Sequence, residues 1–361
     1  MRALTYAGPG TVRVYDVPMP ELKRPTDALV RVRLAGLCGS DLHIVRGKVP
    51  EVGEGTVLGH EFVGDVVEAG EAADVEVGRR YLGGFFAACG ACRSCLRRQW
   101  RNCASYQVFG HGATLGSLDG AQAEYVRVPL ARHTLMPVPD SVSDRDALFC
   151  CDILPTAWTA MDQAGIRPGD TVAVVGAGPV GLMTIMAAGH FGAARVVVVD
   201  PGVERRAAAR ELGADAFGPD ELDAAVALVS TGDGDEGADV VVEAAGVPSS
   251  LQVAWRLARR GGTIALVGML IEEQWPASAG ETWLKWLTIR PIFGDAYSYR
   301  PALLALMAAG RLQPSQVLSE VFPLTEGVDA YARLASQSGL KLALDAGYPD
   351  GDRTARPDRP S

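Results

Sequence analysis

Four closely spaced cysteines form the most distinctive group of potential metal ligands in this sequence. Cys89, Cys92, Cys95 and Cys103 follow the spacing C-x2-C-x2-C-x7-C. Four thiolates at such spacing can complete a tetrahedral shell around zinc, which leaves no open coordination position and makes the site structural. A disulfide staple, a redox-active cysteine pair and a nucleic-acid-binding zinc ribbon are the competing interpretations.

A second group of ligand-type residues precedes these cysteines. CGSDLH, at 38–43, is followed by GHE, at 59–61. A thiolate, an imidazole and a nearby carboxylate suit a zinc ion that keeps one coordination position open. Zinc in such a position acts as a Lewis acid on a bound oxygen. This second group is therefore a candidate reactive centre.

A glycine-rich turn later in the chain indicates a dinucleotide site. GAGPVG, at 176–181, lies between the buried-strand pattern TVAVVG and the helix pattern GPVGLMTIMAAGHFGA. In this context Gly176 allows the tight turn, Gly178 lets the backbone approach a pyrophosphate, and Gly181 lets helix and strand pack closely. The helix N-terminus, at Pro179 and Val180, then presents free N–H groups to the phosphates.

Asp200 ends the next predicted strand, ARVVVVD, about twenty residues beyond the last glycine of the turn. A carboxylate there accepts hydrogen bonds from the hydroxyls of the adenosine ribose and repels a 2′-phosphate, so NAD is favoured over NADP. Arg205 and Arg206 follow closely, and either could meet a phosphate. We also assign Arg205, Val267 and Met269 to the cofactor site.

The elements that must position these residues fall into two regions. Short β-branched runs cut by Gly, Pro and Asp fill the first 150 residues. From about residue 168, strands alternate with helices, which predicts an α/β fold with a doubly wound parallel sheet. SLQVAWRLARRGG is predicted as one of those helices, and PALLALMAAG and KLALD as a final helix and strand. The polar, Pro-rich tail is predicted to be disordered.

Composition and charge limit the possible functions. At 361 residues, with 48% hydrophobic and 21% charged residues, the chain is expected to form two globular domains. Its formal charge of −9 disfavours nucleic acid and anionic membranes as partners. The sequence has no apolar run of membrane-spanning length and no signal-peptide pattern at its start, so we expect a cytoplasmic protein. In that reducing compartment clustered cysteines favour metal binding over disulfides.

Taken together, these motifs resemble those of the zinc-dependent medium-chain dehydrogenases, the alcohol and polyol dehydrogenase superfamily. The resemblance runs from residue 1 to about 348. It rests on motifs that occur in the family's order, namely CGSDLH, GHEFVGDVVEAG, CGACRSCLRRQWRNC, GAGPVG and Asp200 at the end of the predicted strand ARVVVVD. It implies a GroES-like β-rich catalytic domain at 1–152 with a zinc lobe at about 86–106, a Rossmann NAD-binding domain at 153–294, and a return to the catalytic domain at 295–348. The tail is 349–361, and the active site is expected in the cleft between the domains.

The resemblance also implies a set of ligands. Cys38 and His60 correspond to catalytic-zinc ligands, with Glu61 as a neighbour that can exchange onto the metal. The segment FCCDILPTAW offers Asp152 as the third ligand, with Cys150 and Cys151 as rivals, and is similar to that of bacterial secondary-alcohol dehydrogenases and glutathione-independent formaldehyde dehydrogenases. Asp41 would hold His60 in its tautomer, and the four-cysteine lobe would carry the structural zinc.

The resemblance implies a mechanism as well. Zinc would polarise the alkoxide of a bound alcohol, hydride would pass to NAD, and Ser40 and His43 would relay the proton to solvent. We therefore expect a zinc-dependent enzyme with two zinc ions per chain that acts on a secondary alcohol or polyol. An aldehyde or formaldehyde dehydrogenase or dismutase is the alternative within the family. A non-catalytic dinucleotide-binding protein is the alternative outside it.

Other features remain less defined at this level. Trp275, Trp283 and Trp286 lie in a segment that in the family is near the nicotinamide, the substrate entrance and the subunit contact. Relatives are dimers or tetramers, so a homo-oligomer is expected. Phe86, Phe109 and His111 flank family positions that line the substrate cleft, and His111 is interpreted as a polar loop residue.

Overall fold

The computed structural model of the chain describes residues 1–49, 51–230, 236–269 and 279–347. It contains two compact units. The first comprises Met1–Asp152 and the described residues that follow Gly294, and the second comprises Ile153–Gly294. Both Trp275 and the tail at 349–361 lie outside the described residues. Within the described ranges, the helices are too short or too polar to cross a bilayer.

The first unit is built mainly from strands. Its helices before the second unit are α1 (Gly39–Val45), α2 (Arg93–Leu96), α3 (Ala131–Thr134) and α4 (Asp144–Phe149). Its strands in that stretch are β1 (Arg2–Tyr6), β2 (Val12–Asp16), β3 (Ala28–Leu37), β4 (Phe62–Ala69), β5 (Arg80–Gly83), β6 (Phe86–Ala87), β7 (Gln107–Val108), β8 (Tyr125–Val128) and β9 (Leu135–Pro137).

The second unit alternates helices and strands. Its helices are α5 (Ile153–Ala164), α6 (Pro179–His190), α7 (Val203–Glu211), α8 (Leu222–Val229), α9 (Pro248–Leu257) and α10 (Ala279–Leu284). Its strands are β10 (Thr171–Val175), β11 (Arg195–Val199), β12 (Asp215–Phe217), β13 (Ala238–Glu243), β14 (Ala258–Leu266) and β15 (Thr288–Pro291). They pair in parallel in the order β12-β11-β10-β13-β14-β15. The predicted doubly wound parallel sheet is confirmed.

The chain then returns to the first unit through α11 (Arg300–Ala308), β16 (Leu318–Pro323), α12 (Gly327–Ala335) and β17 (Lys341–Asp345). Of these, β16 and α12 were not predicted from the sequence. The main sheet of this unit has the order β16-β17-β3-β4-β5-β9, with β8 also paired to β3. Because β3 has partners along both edges and is covered on both faces, its residues are buried along almost the whole strand. Arg31 and Arg33 interrupt its otherwise apolar sequence, and each lies 3.5 Å from the Asp65 carboxylate on the neighbouring strand β4.

One predicted helix is shorter than its pattern suggested. The residues from Ala258 onward, predicted to continue helix α9, form strand β14 instead, in which Ala258 pairs with Ala238. Glycines at 261 and 262 disfavour helix in this stretch. Arg259 also donates to Asp239 of the neighbouring strand at 2.8 Å, which supports the extended conformation.

The cysteine-rich lobe packs on residues at the start of the returning segment. Trp100 donates through Nε1 to Asp295 at 2.9 Å, and the Tyr297 hydroxyl donates to the Phe86 carbonyl at 2.6 Å. Trp100, Phe86 and Tyr297 form a small core together with Cys95 and Cys103. The lobe is thus stabilised by apolar packing in addition to its cysteines.

Candidate active site and metal centres

Strand pairing brings two ligand-bearing segments to the same end of the first unit's sheet. β3 and β4 run antiparallel, with Ala35 opposite Phe62. The chain leaves β3 just before Cys38 and enters β4 just after Glu61. Cys38 and His60 therefore become neighbours through backbone register, although 21 residues separate them in sequence.

Four side chains converge at this end of the sheet. Cys38, His60, Glu61 and Asp152 each offer one ligand atom, and these atoms lie within 4.8 Å of one another. Asp152 Oδ2 is 3.4 Å from His60 Nε2. Thiolate, imidazole and carboxylate together make the donor set that zinc accepts in catalytic sites.

Cys150 and Cys151, the rivals for the third ligand position, lie outside this group. Both are fully buried. Cys151 Sγ lies 3.2 Å from the Phe62 carbonyl oxygen, and Cys150 Sγ lies 4.0 Å from Met307 Sδ. Burial raises the pKa of the Cys151 thiol to about 12, and its Sγ is not among the ligand atoms that converge with those of Cys38 and His60.

Asp41 orients the imidazole of His60. Its Oδ1 lies 3.3 Å from His60 Nδ1, and its Oδ2 accepts the Cys38 N–H at 3.0 Å. Burial acts to raise the pKa of Asp41, but His60 more than offsets this and the pKa is lowered. A carboxylate on Nδ1 fixes the tautomer that leaves Nε2 free to bind a metal.

The same centre attracts positive charge. Burial alone would lower the pKa of His60, but the Asp41 and Asp152 carboxylates raise it well above its usual value. A metal ion on Nε2 would supply that positive charge in place of a proton. The residues present therefore fit a zinc ion.

Two contributors to this centre were missed by the sequence reasoning. Gln122 donates through Nε2 to Asp41 at 3.3 Å and to the Gly36 carbonyl at 3.1 Å. Lys341, fully buried on β17, donates to Glu61 Oε1 at 2.7 Å, and this ion pair raises the pKa of Lys341 against the opposing effect of burial. Neither residue belongs to a recognisable motif, and both come from distant parts of the chain.

His111 is also part of this centre rather than an ordinary polar loop residue. Its side chain is only 9% exposed, and its ring centroid lies 5.2 Å from that of His60 in an edge-to-face arrangement. Phe85 also lies edge-to-face with His60, with ring centroids 6.5 Å apart. Phe86 and Phe109 are fully buried; Phe109 packs on Phe62.

Ser40 and His43 lie on α1, three residues apart and so on one face of the helix. Neither the Ser40 hydroxyl nor His43 Nδ1, both buried, has a hydrogen-bond partner among the described residues. Burial lowers the pKa of His43, and the nearby Lys48 and Arg46 lower it further. The imidazole of His43 consequently stays neutral, and able to accept a proton, at pH values somewhat below the usual pKa of histidine.

The four cysteines of the lobe have the geometry of a tetrahedral thiolate site. Their Sγ atoms lie 3.5 Å apart for Cys92–Cys95, 3.6 Å for Cys89–Cys103 and 3.9 Å for Cys89–Cys95. Zinc–sulfur bonds of about 2.3 Å in a regular tetrahedron place sulfurs about 3.8 Å apart. Burial raises the pKa of Cys89, but backbone N–H groups of Ala91 and Cys92 bring it down to about 7. All seven cysteines are free thiols, which removes the disulfide alternative.

The glycine-rich turn follows β10 and opens α6. Gly176 has φ of +97°, and a Cβ at Gly181 would lie 1.9 Å from the Gly176 carbonyl oxygen. By contrast, no described atom lies within 4 Å of a Cβ placed on Gly178, at the N-cap that precedes Pro179 and Val180. Open space beside the N–H groups of a helix N-terminus suits a phosphate.

Asp200 has a structural role that the sequence did not predict. Its Oδ2 accepts the Ala177 N–H at 2.7 Å, and its Oδ1 accepts the Gly202 N–H at 2.6 Å. A carboxylate can accept further hydrogen bonds, so capacity remains for ribose hydroxyls. Arg206 donates to the Asp200 carbonyl at 2.8 Å, whereas the buried Nε of Arg205 has no partner among the described residues.

The remaining predicted cofactor residues lie just beyond β14. The Val267 N–H donates to the Glu243 carbonyl at 2.8 Å, and Met269 is partly exposed. β14 adjoins β13, which in turn adjoins β10. The ends of these three strands share the carboxyl edge of the sheet, where α/β sheets bind ligands.

Substitution of individual ligands should distinguish the two metal centres, because each variant loses the zinc of one centre only. We expect elemental analysis to find about two zinc ions per chain in the wild type, and about one in Cys38→Ser and in Cys95→Ser. Cys95→Ser should also lower the melting temperature, because the lobe loses its crosslink. Cys150→Ala, a thiol outside both groups, is the matched control and should keep both ions. Unchanged zinc in Cys38→Ser would contradict the assignment.

Comparison with known proteins agrees with this geometry. Residues 24–140 match the alcohol dehydrogenase GroES-like domain, and residues 179–309 match the zinc-binding dehydrogenase domain. A Mycobacterium tuberculosis protein named a probable zinc-binding alcohol dehydrogenase is 36% identical over 95% of this chain and 87% of its own length. The expected GroES-like domain is thereby confirmed.

Solved structures give the same result. The alcohol dehydrogenase TADH from Thermus sp. ATN1 superposes with a TM-score of 0.89 at 41% identity, covering 96% of this chain and 99% of that one. A 2R,3R-butanediol dehydrogenase from Bacillus subtilis superposes with a TM-score of 0.82 at 26% identity, covering 96% and 99%. The chain therefore belongs to the zinc-dependent medium-chain dehydrogenase superfamily and is an oxidoreductase that acts on CH–OH donors.

Proposed function

We propose that this protein interconverts a secondary alcohol or polyol and the corresponding carbonyl compound, with NAD as the hydride acceptor. The observation that carries the proposal is the convergence of Cys38, His60 and Asp152 in one group. Three protein ligands leave a fourth zinc position for substrate, which distinguishes a reactive site from the closed four-cysteine site. The likeness to an alcohol dehydrogenase and a butanediol dehydrogenase supports the substrate class.

Cys38, His60 and Asp152 would hold the catalytic zinc, and Asp41 would keep His60 correctly oriented. When bound there, zinc supplies Lewis acidity that lowers the pKa of an alcohol oxygen. Glu61 lies in the same group, but its carboxylate is also paired with Lys341. We therefore do not count it among the permanent zinc ligands. Glu61 is therefore suited to a temporary contact while substrate and water exchange.

Ser40 and His43 would move the proton that the alcohol loses. The unpartnered Ser40 hydroxyl can accept that proton's hydrogen bond, and His43 can pass a proton on towards solvent. The lowered pKa of His43 keeps its imidazole neutral, and therefore able to accept a proton, at slightly acid pH.

NAD is the proposed cofactor, and its nicotinamide supplies the hydride-accepting chemistry. Gly176, Gly178 and Gly181 shape the turn at α6, and Asp200 at the end of β11 provides the carboxylate that favours an unphosphorylated ribose. The cysteine thiols must remain reduced to bind zinc, which favours the cytoplasm as the compartment.

We further propose that the protein is a homo-oligomer. Trp283 and Trp286 are 80% and 84% exposed, and Leu284 between them is also exposed. Large aromatic side chains are enriched at protein interfaces and costly to leave in water. β15 begins just after them and forms an edge of the parallel sheet, so its outer hydrogen-bonding groups are available for pairing.

The proposed function predicts reduction of NAD, followed by absorbance at 340 nm, with secondary alcohols or polyols and the zinc-loaded protein. Turnover with NADP should be much slower than turnover with NAD. Asp200→Gly should reduce this difference in turnover between the two cofactors, because it removes the carboxylate that repels a 2′-phosphate. The panel also includes primary alcohols, sugars and formaldehyde. Bound zinc and NAD without any turnover would favour the non-catalytic alternative, and turnover of formaldehyde alone would favour the aldehyde alternative.

His43→Ala should slow turnover mainly at low pH. The neutral imidazole takes the proton in the wild type, and without it the proton must leave to water or hydroxide, which is harder as pH falls. The kcat profile from pH 5.5 to 9 measures this, with His190→Ala as a control for loss of a histidine outside α1. Equal ratios of variant to wild-type kcat at every pH would remove His43 from the relay.

A double substitution, Trp283→Ser with Trp286→Ser, should lower the oligomeric state or weaken association measurably. The two rings would bury large apolar areas in an interface, and serine removes that contribution. Sedimentation velocity over a range of protein concentrations measures the change. A wild type that sediments as a monomer at all concentrations would contradict the proposal.

A further inference from the structure

A chain of polar contacts links helix α12 to the candidate catalytic metal centre. The Tyr331 hydroxyl on α12 lies 2.8 Å from Gln122 Oε1, and Gln122 Nε2 lies 3.3 Å from Asp41 Oδ2. The other carboxylate oxygen of Asp41 lies 3.3 Å from His60 Nδ1. All four side chains are buried, so water does not compete for these contacts.

The partners of Gln122 fix the orientation of its amide. Nε2 faces the Gly36 carbonyl at 3.1 Å as well as the Asp41 carboxylate, and both of these groups can only accept. The amide nitrogen must therefore point towards them, which leaves Oε1 facing Tyr331. Burial and the nearby Asp41 carboxylate raise the pKa of Tyr331 well above its usual value, so its hydroxyl keeps its proton and donates it to Oε1.

The backbone holds Gln122 in place. Its N–H donates to the Leu58 carbonyl at 2.8 Å, and its carbonyl accepts the Leu4 N–H at 2.8 Å. A Cβ at Gly59 would lie 2.4 Å from Gln122 Cγ, so the side chain lies directly against the residue that precedes His60. The amide is thus positioned for Asp41 by backbone pairing and by close packing, independently of any bound metal.

Asp41 depends on such neighbours. A carboxylate orients a metal-binding imidazole well only while its own oxygens are held by other donors. Its Oδ2 accepts from the Cys38 N–H at 3.0 Å and from Gln122, which directs Oδ1 towards His60. Removal of the Gln122 amide would leave a buried carboxylate with one donor fewer, which is costly and loosens its position.

We propose that Gln122 and Tyr331 are positioning residues of the catalytic metal centre: they hold the Asp41 carboxylate against His60 and thereby strengthen zinc binding there. This inference rests on the part of the proposed function that places zinc at this centre, and it is independent of the alcohol substrate. Helix α12, in the segment that returns after the second unit, thus supports a centre whose ligands all precede it in the chain.

The test compares Gln122→Met and Tyr331→Phe with the wild type. Methionine has about the length of glutamine but cannot donate, and phenylalanine lacks only the hydroxyl. The matched control is Tyr81→Phe, since Tyr81 is also buried and its hydroxyl accepts the Glu76 N–H at 3.0 Å, on β5. Melting temperatures show whether each variant remains folded.

Equilibrium competition with a chelator measures the zinc affinity of the two centres. The dissociation constant of the catalytic zinc should rise about 10- to 100-fold in Gln122→Met, as is typical when a partner of a metal-binding histidine is disturbed. Loss of one hydrogen bond in Tyr331→Phe should raise it about 2- to 10-fold. The zinc of the four cysteines should be held equally tightly in every variant and is the internal reference.

A spectroscopic measurement separates positioning from general loss of stability. Cobalt(II), loaded at the catalytic centre while zinc stays on the four cysteines, has visible absorption bands that depend on its ligand geometry. These bands should shift or broaden in Gln122→Met, and to a smaller extent in Tyr331→Phe. They should be unchanged in Tyr81→Phe, even if that variant melts at a lower temperature.

The outcomes distinguish this inference from the proposed function. A wild type that binds zinc only at the four cysteines would contradict the proposed function. A wild type with both zinc ions, whose catalytic zinc affinity and cobalt spectrum are unchanged in Gln122→Met and Tyr331→Phe, would overturn the inference and leave the proposed function standing. An equal loss of affinity in Tyr81→Phe would also overturn it, because the effect would then be one of stability alone.

Discussion

The antiparallel pairing of β3 with β4 is the constraint on which the reactive centre depends. It places the residues that leave one strand beside those that enter the other, and the Gly36 N–H donates to the Glu61 carbonyl at 2.9 Å where they meet. A Cβ at Gly36 would collide with the Glu61 carboxylate, so the strand must carry glycine at this point. β17 pairs with the other edge of β3 and brings Lys341 to the same end of the sheet.

This arrangement concentrates buried charge. Asp41, Glu61 and Lys341 are almost fully buried together with His60. Burying ions without partners is costly, and here each is compensated by a specific neighbour: Asp41 by His60 and backbone, Glu61 by Lys341. The His60 imidazole has a carboxylate beside each nitrogen, Asp41 at Nδ1 and Asp152 at Nε2. A positive charge at this position would compensate the two carboxylates. Zinc binding and the folding of this centre are therefore coupled.

What the sequence could predict depended on how locally each feature is encoded. The four cysteines lie within one short lobe, and the glycine turn lies between adjacent elements, so spacing alone predicted their chemistry. The helix predicted over SLQVAWRLARRGG is wrong from Ala258 onward, because strand pairing with β13 overrides local propensity. Gln122, Lys341 and His111 could not be predicted, since each reaches the centre through contacts between distant parts of the chain or through a loop whose flanking glycines have positive φ. The carboxylate of Asp200 was found, but its bonds to the Ala177 and Gly202 N–H groups depend on the folded turn.

The central claim is that one zinc ion is held by four cysteines and another by Cys38, His60 and Asp152. X-ray absorption spectroscopy at the zinc edge tests it most directly, because it counts sulfur against nitrogen and oxygen neighbours. Sites with four sulfurs and with one sulfur predict an average of about 2.5 sulfur and about 1.5 nitrogen or oxygen neighbours per zinc, at two zinc ions per chain and with one solvent ligand. A spectrum with about four sulfur neighbours per zinc, at one zinc ion per chain, would show that the Cys38 group binds no zinc.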